Sequence, residues 1–226
     1  MLSNKFFNYI LTLVLCSVLF GCGEQEKVNF TIQGSLINGR MAKTAYLYEF
    51  LPQYETIRMI DSARVENNRF VLQGRSDERK PAFIKLDNTK EGINFFLSNH
   101  DLNIIIGKNS YSVSGTEDNY RLSKMIHLQH TAINTRKQIQ SEYSKLVADS
   151  VLTKQLEDSL SIAYVKPSKE LRKLILSEIT VNMDSDVMFS KMCLRLFSPY
   201  ITAEEVDSLS KLLNVPVVQT EESSWK

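Results

Sequence analysis

Between residues 28 and 115, apolar and polar side chains alternate in short runs separated by polar turns. A period of two is typical of strands that bury one face. Segments with this pattern begin near Phe30, Ala45, Ile57, Phe70, Ala82, Ile93, Leu102 and Tyr111. Because no helical segment lies between them to form parallel crossovers, about eight such strands predict an antiparallel β-sandwich or small barrel.

Turn residues divide this strand-rich region. The dipeptide Asn38-Gly39 favours a turn because both residues tolerate positive φ. The stretch Glu66-Asn67-Asn68-Arg69 lies between two strand-like segments, Ile57 to Val65 and Phe70 to Leu72, and predicts a hairpin. We find no internal repeat.

After Gly115 the apolar period changes to that of a helix. One stripe consists of Leu122, Met125, Ala132, Ile139, Tyr143 and Leu146. Polar Gln129 and Arg136 interrupt it. A second helical stretch contains Leu152, Leu156, Leu160 and Ala163, then Leu171, Leu174, Ile175 and Ile179. We expect Pro167 to break or kink this second helix.

Two shorter helices are expected near the C-terminus. One covers about Val187 to Phe197, and the other begins at Thr202, where Glu205 stands at the capping-box spacing. Asn214 and Pro216 are expected to end it. The fold class is therefore α+β, with a β domain at 28–116, a helical region at 117–216 and a polar tail at 217–226.

The first residues have the pattern of a secretory leader. Lys5 supplies a positive charge, and residues 6–20 are almost wholly apolar, which suits a signal peptide and is short for a membrane span. The run ends at Leu19-Phe20-Gly21-Cys22, which resembles the lipobox of bacterial lipoproteins. We expect a signal peptide at 1–21, lipid on Cys22 and a polar tether at 22–27. An uncleaved anchor and an ordinary secretory signal are the alternatives.

Acylation of Cys22 would place the domain at a membrane surface in the cell envelope, because buried acyl methylenes contribute about 0.8 kcal/mol each. Gly23 lacks the acidic character that retains some lipoproteins at the inner membrane. We therefore expect the outer membrane, with the periplasmic or surface face left open.

Charge and cysteine content narrow the functional classes. The chain of 226 residues has 27 basic and 26 acidic residues without a basic cluster, which argues against a nucleic-acid partner. Of three cysteines, Cys16 lies in the leader and Cys22 is the expected lipid site, so Cys193 would be the only thiol of the mature chain. Its apolar neighbours predict a buried small hydrophobe without redox function.

Few residues suggest a catalytic or metal site. His127 and His130 are three apart on the first helix and could share a metal with His100 or Asp101, but solvated surface side chains are the favoured interpretation. Asp61-Ser62 is expected to form a cross-strand polar pair. The pairs Glu204-Glu205 and Asp184 with Asp186 stand at helix starts, where they complement the helix dipole. We expect no catalytic residue, cofactor or metal.

Tyr46, Tyr48 and Tyr54 are candidates for a ligand-binding surface. Tyr46 and Tyr48 share one face of a strand and could equally pack under a loop.

Several segments resemble a known family. They are Phe30-Thr31-Ile32-Gln33-Gly34, Ala45-Tyr46-Leu47-Tyr48, Asp61-Ser62-Ala63-Arg64-Val65, Asn68-Arg69-Phe70-Val71-Leu72-Gln73-Gly74 and Val113-Ser114-Gly115-Thr116. Together they are similar to the domain of unknown function that precedes a thioredoxin-like domain in many Bacteroidetes thiol-disulfide oxidoreductases. The Trp-Cys-x-x-Cys active site of that thioredoxin-like domain has no counterpart here, so the resemblance implies no redox residue.

Two functions follow as expectations. The first is a lipid-anchored cell-envelope protein with a non-catalytic role in binding or assembly. The alternative, implied by the resemblance, is an accessory or truncated relative of a thioredoxin-like oxidoreductase that acts through a separate thioredoxin-like partner.

Overall fold

The computed structural model describes residues 28–51, 56–108 and 110–215. The strands are β1 Phe30–Leu36, β2 Thr44–Phe50, β3 Ile57–Arg64, β4 Arg69–Gly74, β5 Lys80–Leu86, β6 Ile93–Leu97, β7 Leu102–Ile106 and β8 Tyr111–Ser114. The helices are α1 Glu117–Ala148, α2 Lys154–Asn182, α3 Val187–Phe197 and α4 Ala203–Leu213, with a 3₁₀ turn at Ser198–Tyr200 before α4. Strands followed by helices confirm the predicted α+β class.

The strands form two four-stranded sheets that do not close into a barrel. The first sheet has the order β4-β1-β7-β8 and the second β3-β2-β5-β6. Buried residues of both sheets form one apolar cluster between them, as in a sandwich. Pairing is antiparallel except between β1 and β7, which are parallel. This exception was not predicted: the long connection that a parallel pair needs passes mainly through strands of the other sheet rather than through a helix.

The predicted turn at Glu66 to Arg69 is present, but the strands on either side are not paired as a hairpin. Asn67 and Asn68 both have positive φ, and Glu66 and Arg69 exchange backbone hydrogen bonds of 2.8 and 2.9 Å. Beyond the turn, β3 pairs with β2 and β4 pairs with β1. The hairpin prediction is therefore wrong beyond the turn itself, which connects the two sheets.

Asp61 links the edge strands that this turn connects. Its carboxylate accepts hydrogen bonds from the backbone N–H of Gln73 in β4 (2.8 Å) and of Ser62 (2.7 Å). Asp61 therefore contacts the backbone of the neighbouring edge strand rather than forming the polar side-chain pair expected from the sequence.

A five-residue motif occurs twice, contrary to the expectation of no repeat. Residues 30–34 and 70–74 share the pattern Phe-x-Ile/Leu-Gln-Gly and pair antiparallel, so Phe30 lies opposite Gly74 and Gly34 opposite Phe70. A Cβ on Gly34 would lie 2.0 Å from the Phe70 ring, and one on Gly74 would lie 2.7 Å from the Phe30 ring. Each glycine makes room for the phenylalanine of the partner strand.

Helix α1 covers the edge strands β6 and β8. The Asn119 amide accepts from the Phe96 N–H (2.7 Å) and donates to the Phe96 carbonyl (2.8 Å), as a neighbouring strand would. One turn later, the Ser123 hydroxyl accepts from the Val113 N–H (2.8 Å) and donates to the Val113 carbonyl (2.9 Å). Two side chains at an i, i+4 spacing thus satisfy backbone groups of both sheets and protect edges that could otherwise pair with other chains.

A second apolar cluster joins the sandwich to the helices. Phe96 points from β6 towards Phe189 of α3, with ring centroids 5.8 Å apart. Leu122 and Met125 of α1 pack in this cluster, as the stripe on the sequence predicts, and so does Ile175 of α2.

Helix α2 is continuous through Pro167, so the expected break is absent, while the alternative of a kink stays a prediction. Proline removes the hydrogen bond to the carbonyl of Ala163. Because Ala163 is exposed, water can reach this region of the helix.

The predicted α4 is confirmed in detail. Thr202 accepts from the Glu205 N–H, and the Glu205 carboxylate accepts from the Thr202 N–H, which completes the capping box. Asn214 ends the helix in a left-handed conformation with φ of 51°. Pro216 and the tail at 217–226 lie outside the described residues.

Candidate functional site

The residue with the most specific predicted chemistry, Cys22, lies outside the described residues, as do the expected signal peptide at 1–21 and the rest of the tether at 22–27. Among the described helices, none combines the length and apolar character that a membrane crossing requires.

The candidate binding surface is an aromatic patch on the outer face of the second sheet, which we define as Tyr46, Tyr48, Phe50 and Phe83. The three β2 residues alternate with buried residues, so they share the outward face, and all are half-buried. Tyr48 stacks on Phe83 of β5 with ring centroids 5.0 Å apart and planes 12° apart. The ring centroids of Tyr46 and Tyr48 are 6.5 Å apart. Tyr46 and Tyr48 therefore share a face as predicted, while Tyr54 lies outside the described residues.

The aromatic patch lies next to the helices and to exposed apolar side chains. The guanidinium of Arg195, from α3, stands 4.5 Å from the Phe50 ring centroid, a cation–π geometry. Met59 of β3 pairs with Tyr48 across the sheet and is 56% exposed. Half-buried rings beside an exposed apolar residue form a surface suited to an apolar or aromatic partner group.

A buried carboxylate lies beneath this face. Glu49 is 2% exposed, and its Oε1 accepts from Arg58 Nε at 2.5 Å while Oε2 pairs with Lys80. Burial alone would raise the pKa of Glu49, but the hydrogen bonds and charges of Lys80 and Arg58 outweigh it and hold the pKa below its ordinary value. Glu49 is thus a charged structural anchor with its oxygens occupied.

The histidines form no metal centre in the described part of the chain. His127 is exposed and His130 half-buried on α1, while His100 faces Ser98, with 3.2 Å between Nδ1 and Oγ. The Asp101 carboxylate accepts a hydrogen bond from the backbone N–H of Thr31 (2.7 Å). Within residues 28–51, 56–108 and 110–215, no three His, Cys, Asp or Glu side chains lie close enough together to hold a metal ion.

Cys193 is fully buried, as predicted. Its Sγ lies 3.8 Å from the Sδ of Met125 in the second apolar cluster. Burial raises the pKa of the Cys193 thiol far above its ordinary value. A protonated, enclosed thiol is a poor nucleophile, so Cys193 is unsuited to disulfide exchange.

The predicted carboxylates at helix starts have structural partners. Asp186 is the N-cap of α3, and its Oδ2 accepts from Arg79 Nη1 at 2.8 Å; Arg79 also pairs with Asp118 in the first turn of α1. Burial raises the pKa of Asp186, but the hydrogen bonds from Arg79 and from the Phe189 N–H lower it by more, so the pKa lies below its ordinary value. Arg79 therefore holds two helix starts against β5, with its guanidinium 5.0 Å from the Phe96 ring centroid.

Glu204 and Glu205 lie in the first turn of α4 as predicted, and Glu205 pairs with Arg172 of α2 (Arg172 Nη2 to Oε1, 2.6 Å). Asp184 is exposed in the turn before α3. The roles of Arg79 and Asn119 were not predicted, because both depend on contacts between segments that are distant in the sequence.

These features define an α+β protein in which a two-sheet sandwich is completed by helices. The family model of a domain of unknown function, DUF4369, matches residues 30–122. The match includes all eight described strands and the first turns of α1, up to and including Asn119 and Leu122. No curated protein matches the chain.

Proposed function

We propose that the chain is a lipid-anchored protein of the cell envelope with a non-catalytic binding or assembly role. The observation that carries the anchor is the order Leu19-Phe20-Gly21-Cys22 directly after an apolar run of signal-peptide length. Lipid on Cys22 would hold the sandwich at a membrane surface, and Gly23 favours the outer membrane. No catalytic residue or cofactor is part of the proposal.

The aromatic patch is the proposed contact surface of this binding role. It is supported by the half-exposed rings of Tyr46 and Tyr48 and by the exposed Met59 beside them. Burying aromatic side chains contributes strongly to protein interfaces.

A second candidate function is an accessory role beside a separate thioredoxin-like protein. The family match over residues 30–122 favours it, because the segments that resemble the domain preceding thioredoxin-like domains lie in this region. The redox chemistry would then belong to the partner, since Cys193 is enclosed.

Metabolic labelling with palmitate tests the anchor. We expect label in the wild-type chain and in a Cys16→Ser variant, which changes a leader cysteine, and no label in Cys22→Ser. A Cys193→Ala variant serves as a second control and is also expected to retain label. Incorporation by the Cys22→Ser variant would contradict the anchor.

Affinity purification from envelope extracts tests the partner. A thioredoxin-like protein recovered with wild type and lost with Tyr46→Ser/Tyr48→Ser would support the accessory role. The control is Tyr120→Ser, which changes an exposed tyrosine on α1 outside the aromatic patch. Equal recovery with both variants would exclude the patch as the contact surface.

A further inference from the structure

The middle of the helical region is a hairpin without buried residues. We define the α1–α2 hairpin as residues 133–170, which include the C-terminal half of α1 and the N-terminal half of α2. Every described burial class in this stretch is exposed or half-buried, whereas α1 has buried residues up to Ala132 and α2 from Leu171 onwards. Isolated helices are marginal in water, and packing of an apolar face supplies most of their stability.

Four apolar side chains of the α1–α2 hairpin continue the stripes that are buried nearer the sandwich, on α1 up to Ala132 and on α2 from Leu171. Tyr143 and Val147 are four apart on α1, and Leu156 and Tyr164 are eight apart on α2, so each pair occupies one stripe. They remain 39%, 49%, 41% and 38% exposed, respectively. These four residues, which we call the seam, are therefore partly open to solvent.

Charge on the α1–α2 hairpin divides into two halves of opposite sign. The half nearest the sandwich, residues 133–141 and 162–170, contains Arg136, Lys137, Lys166, Lys169 and Glu170. The half at the tip, residues 142–161, contains Glu142, Lys145, Asp149, Lys154, Glu157 and Asp158. The first half is therefore net basic and the tip half net acidic. If two hairpins pair in opposite directions, each acidic tip lies over the basic half of the other.

We propose that the α1–α2 hairpin is a self-association surface on which a second copy of this chain packs antiparallel about a two-fold axis, forming a four-helix bundle. A two-fold interface uses the same patch on both copies. The acidic tip of each copy then contacts the basic half of the other, so the favourable charge contact occurs twice. Two half-helices of about 24 Å, each about 10 Å wide, offer roughly 500 Å² per copy. The total is about 1,000 Å², the lower limit of specific interfaces, so we expect a weak, reversible dimer.

A bilayer is a poorer occupant of this seam than a second copy. The α1–α2 hairpin has charged residues in both halves, and charged groups are costly in the hydrocarbon core. The proposal does not rest on a lipid anchor at Cys22.

Sedimentation equilibrium of the full chain in density-matched detergent tests the dimer. We expect a monomer–dimer equilibrium with the wild type and at least about tenfold weaker association with Tyr143→Ser/Leu156→Ser. The matched control is Ile162→Ser, because Ile162 is 71% exposed and lies on the side of α2 away from the seam. Circular dichroism confirms that each variant keeps its helices. A wild-type chain that stays monomeric at hundreds of micromolar, or equal weakening by the control, would overturn the proposal.

Charge reversal tests the antiparallel direction. Glu142→Lys/Glu157→Lys alone makes the tip basic and should weaken the dimer about tenfold at low salt, as should Lys137→Glu/Lys166→Glu alone. The chain with all four changes should recover wild-type association, because the two halves are again opposite in sign. Failure of the fourfold variant to recover while its helices remain intact would exclude the antiparallel arrangement.

Discussion

At the residue scale, local sequence predicts roles that depend on near neighbours. Cys193 is buried among apolar residues and Thr202 forms the capping box with Glu205, both as the sequence indicates. Asn119 was missed, although it stands three residues before Leu122 and thus on the buried stripe of α1. A polar residue at such a position signals a buried partner, but the partner, Phe96, lies in another element and cannot be identified from spacing.

Asn119→Ala should be strongly destabilising. The substitution leaves the N–H and carbonyl of buried Phe96 without partners, and each unsatisfied backbone group costs about 1–3 kcal/mol. We expect urea denaturation to show a loss of about 2–4 kcal/mol in the free energy of unfolding. Asn134→Ala, an exposed position on the same helix, should change it by less than about 0.5 kcal/mol. Equal effects of the two substitutions would contradict the edge-capping role of Asn119.

At the scale of elements, alternation predicts the strands and their buried faces but not their partners. The turn at Asn67 and Asn68 is local, so its positive φ angles are predictable. The pairing of β4 with β1 rather than β3 brings Phe70 against Gly34. This contact joins two copies of the motif that begin forty residues apart, at Phe30 and Phe70. The paired Phe-x-Ile/Leu-Gln-Gly motif was the available signal for the β1–β4 pairing.

Gly34→Ala tests this fit between paired strands. A methyl group would lie 2.0 Å from the Phe70 ring, which is buried and cannot turn into solvent, so we expect a loss of about 2–3 kcal/mol in unfolding free energy. Adding Phe70→Leu should recover part of that loss, giving a measurable coupling in a double-mutant cycle. Gly39→Ala is the control: φ of 73° strains alanine, but no atom lies within 4 Å, so about 1 kcal/mol is expected. Additive effects of Gly34→Ala and Phe70→Leu on the free energy of unfolding would contradict the packing of Phe70 against Gly34.

At the scale of the whole molecule, α1 lies along the strand edges that it covers. β1 begins at one end of the sandwich; α1 starts near that end and runs along β6 towards the β5–β6 loop, where the charge of Glu91 acts on His130. Burial and His127 lower the pKa of His130, and Glu91 opposes them. The α1–α2 hairpin begins three residues after His130. The sequence predicts both helices, but it does not predict that half of each lacks buried residues. An apolar stripe has the same pattern whether it packs against the same chain or against another.

Because the α1–α2 hairpin has no buried residue, we expect the rest of the fold to remain intact when it is removed. Replacing residues 134–168 with a short Gly-Ser linker removes no buried residue, while Arg79, Asn119 and the second apolar cluster remain. We therefore expect the shortened chain to unfold in one transition within a few degrees of the full chain's Tm, and to be monomeric. In the full chain, amides of residues 137–147 should exchange with solvent faster than those of 122–132, and their protection should rise with protein concentration as the seam is covered by a second copy. In the helical region, buried contacts with the rest of the fold lie within residues 117–132 and 171–215, so the shortened chain should keep them. Loss of cooperative unfolding in the shortened chain would contradict this and show that the α1–α2 hairpin stabilises the sandwich.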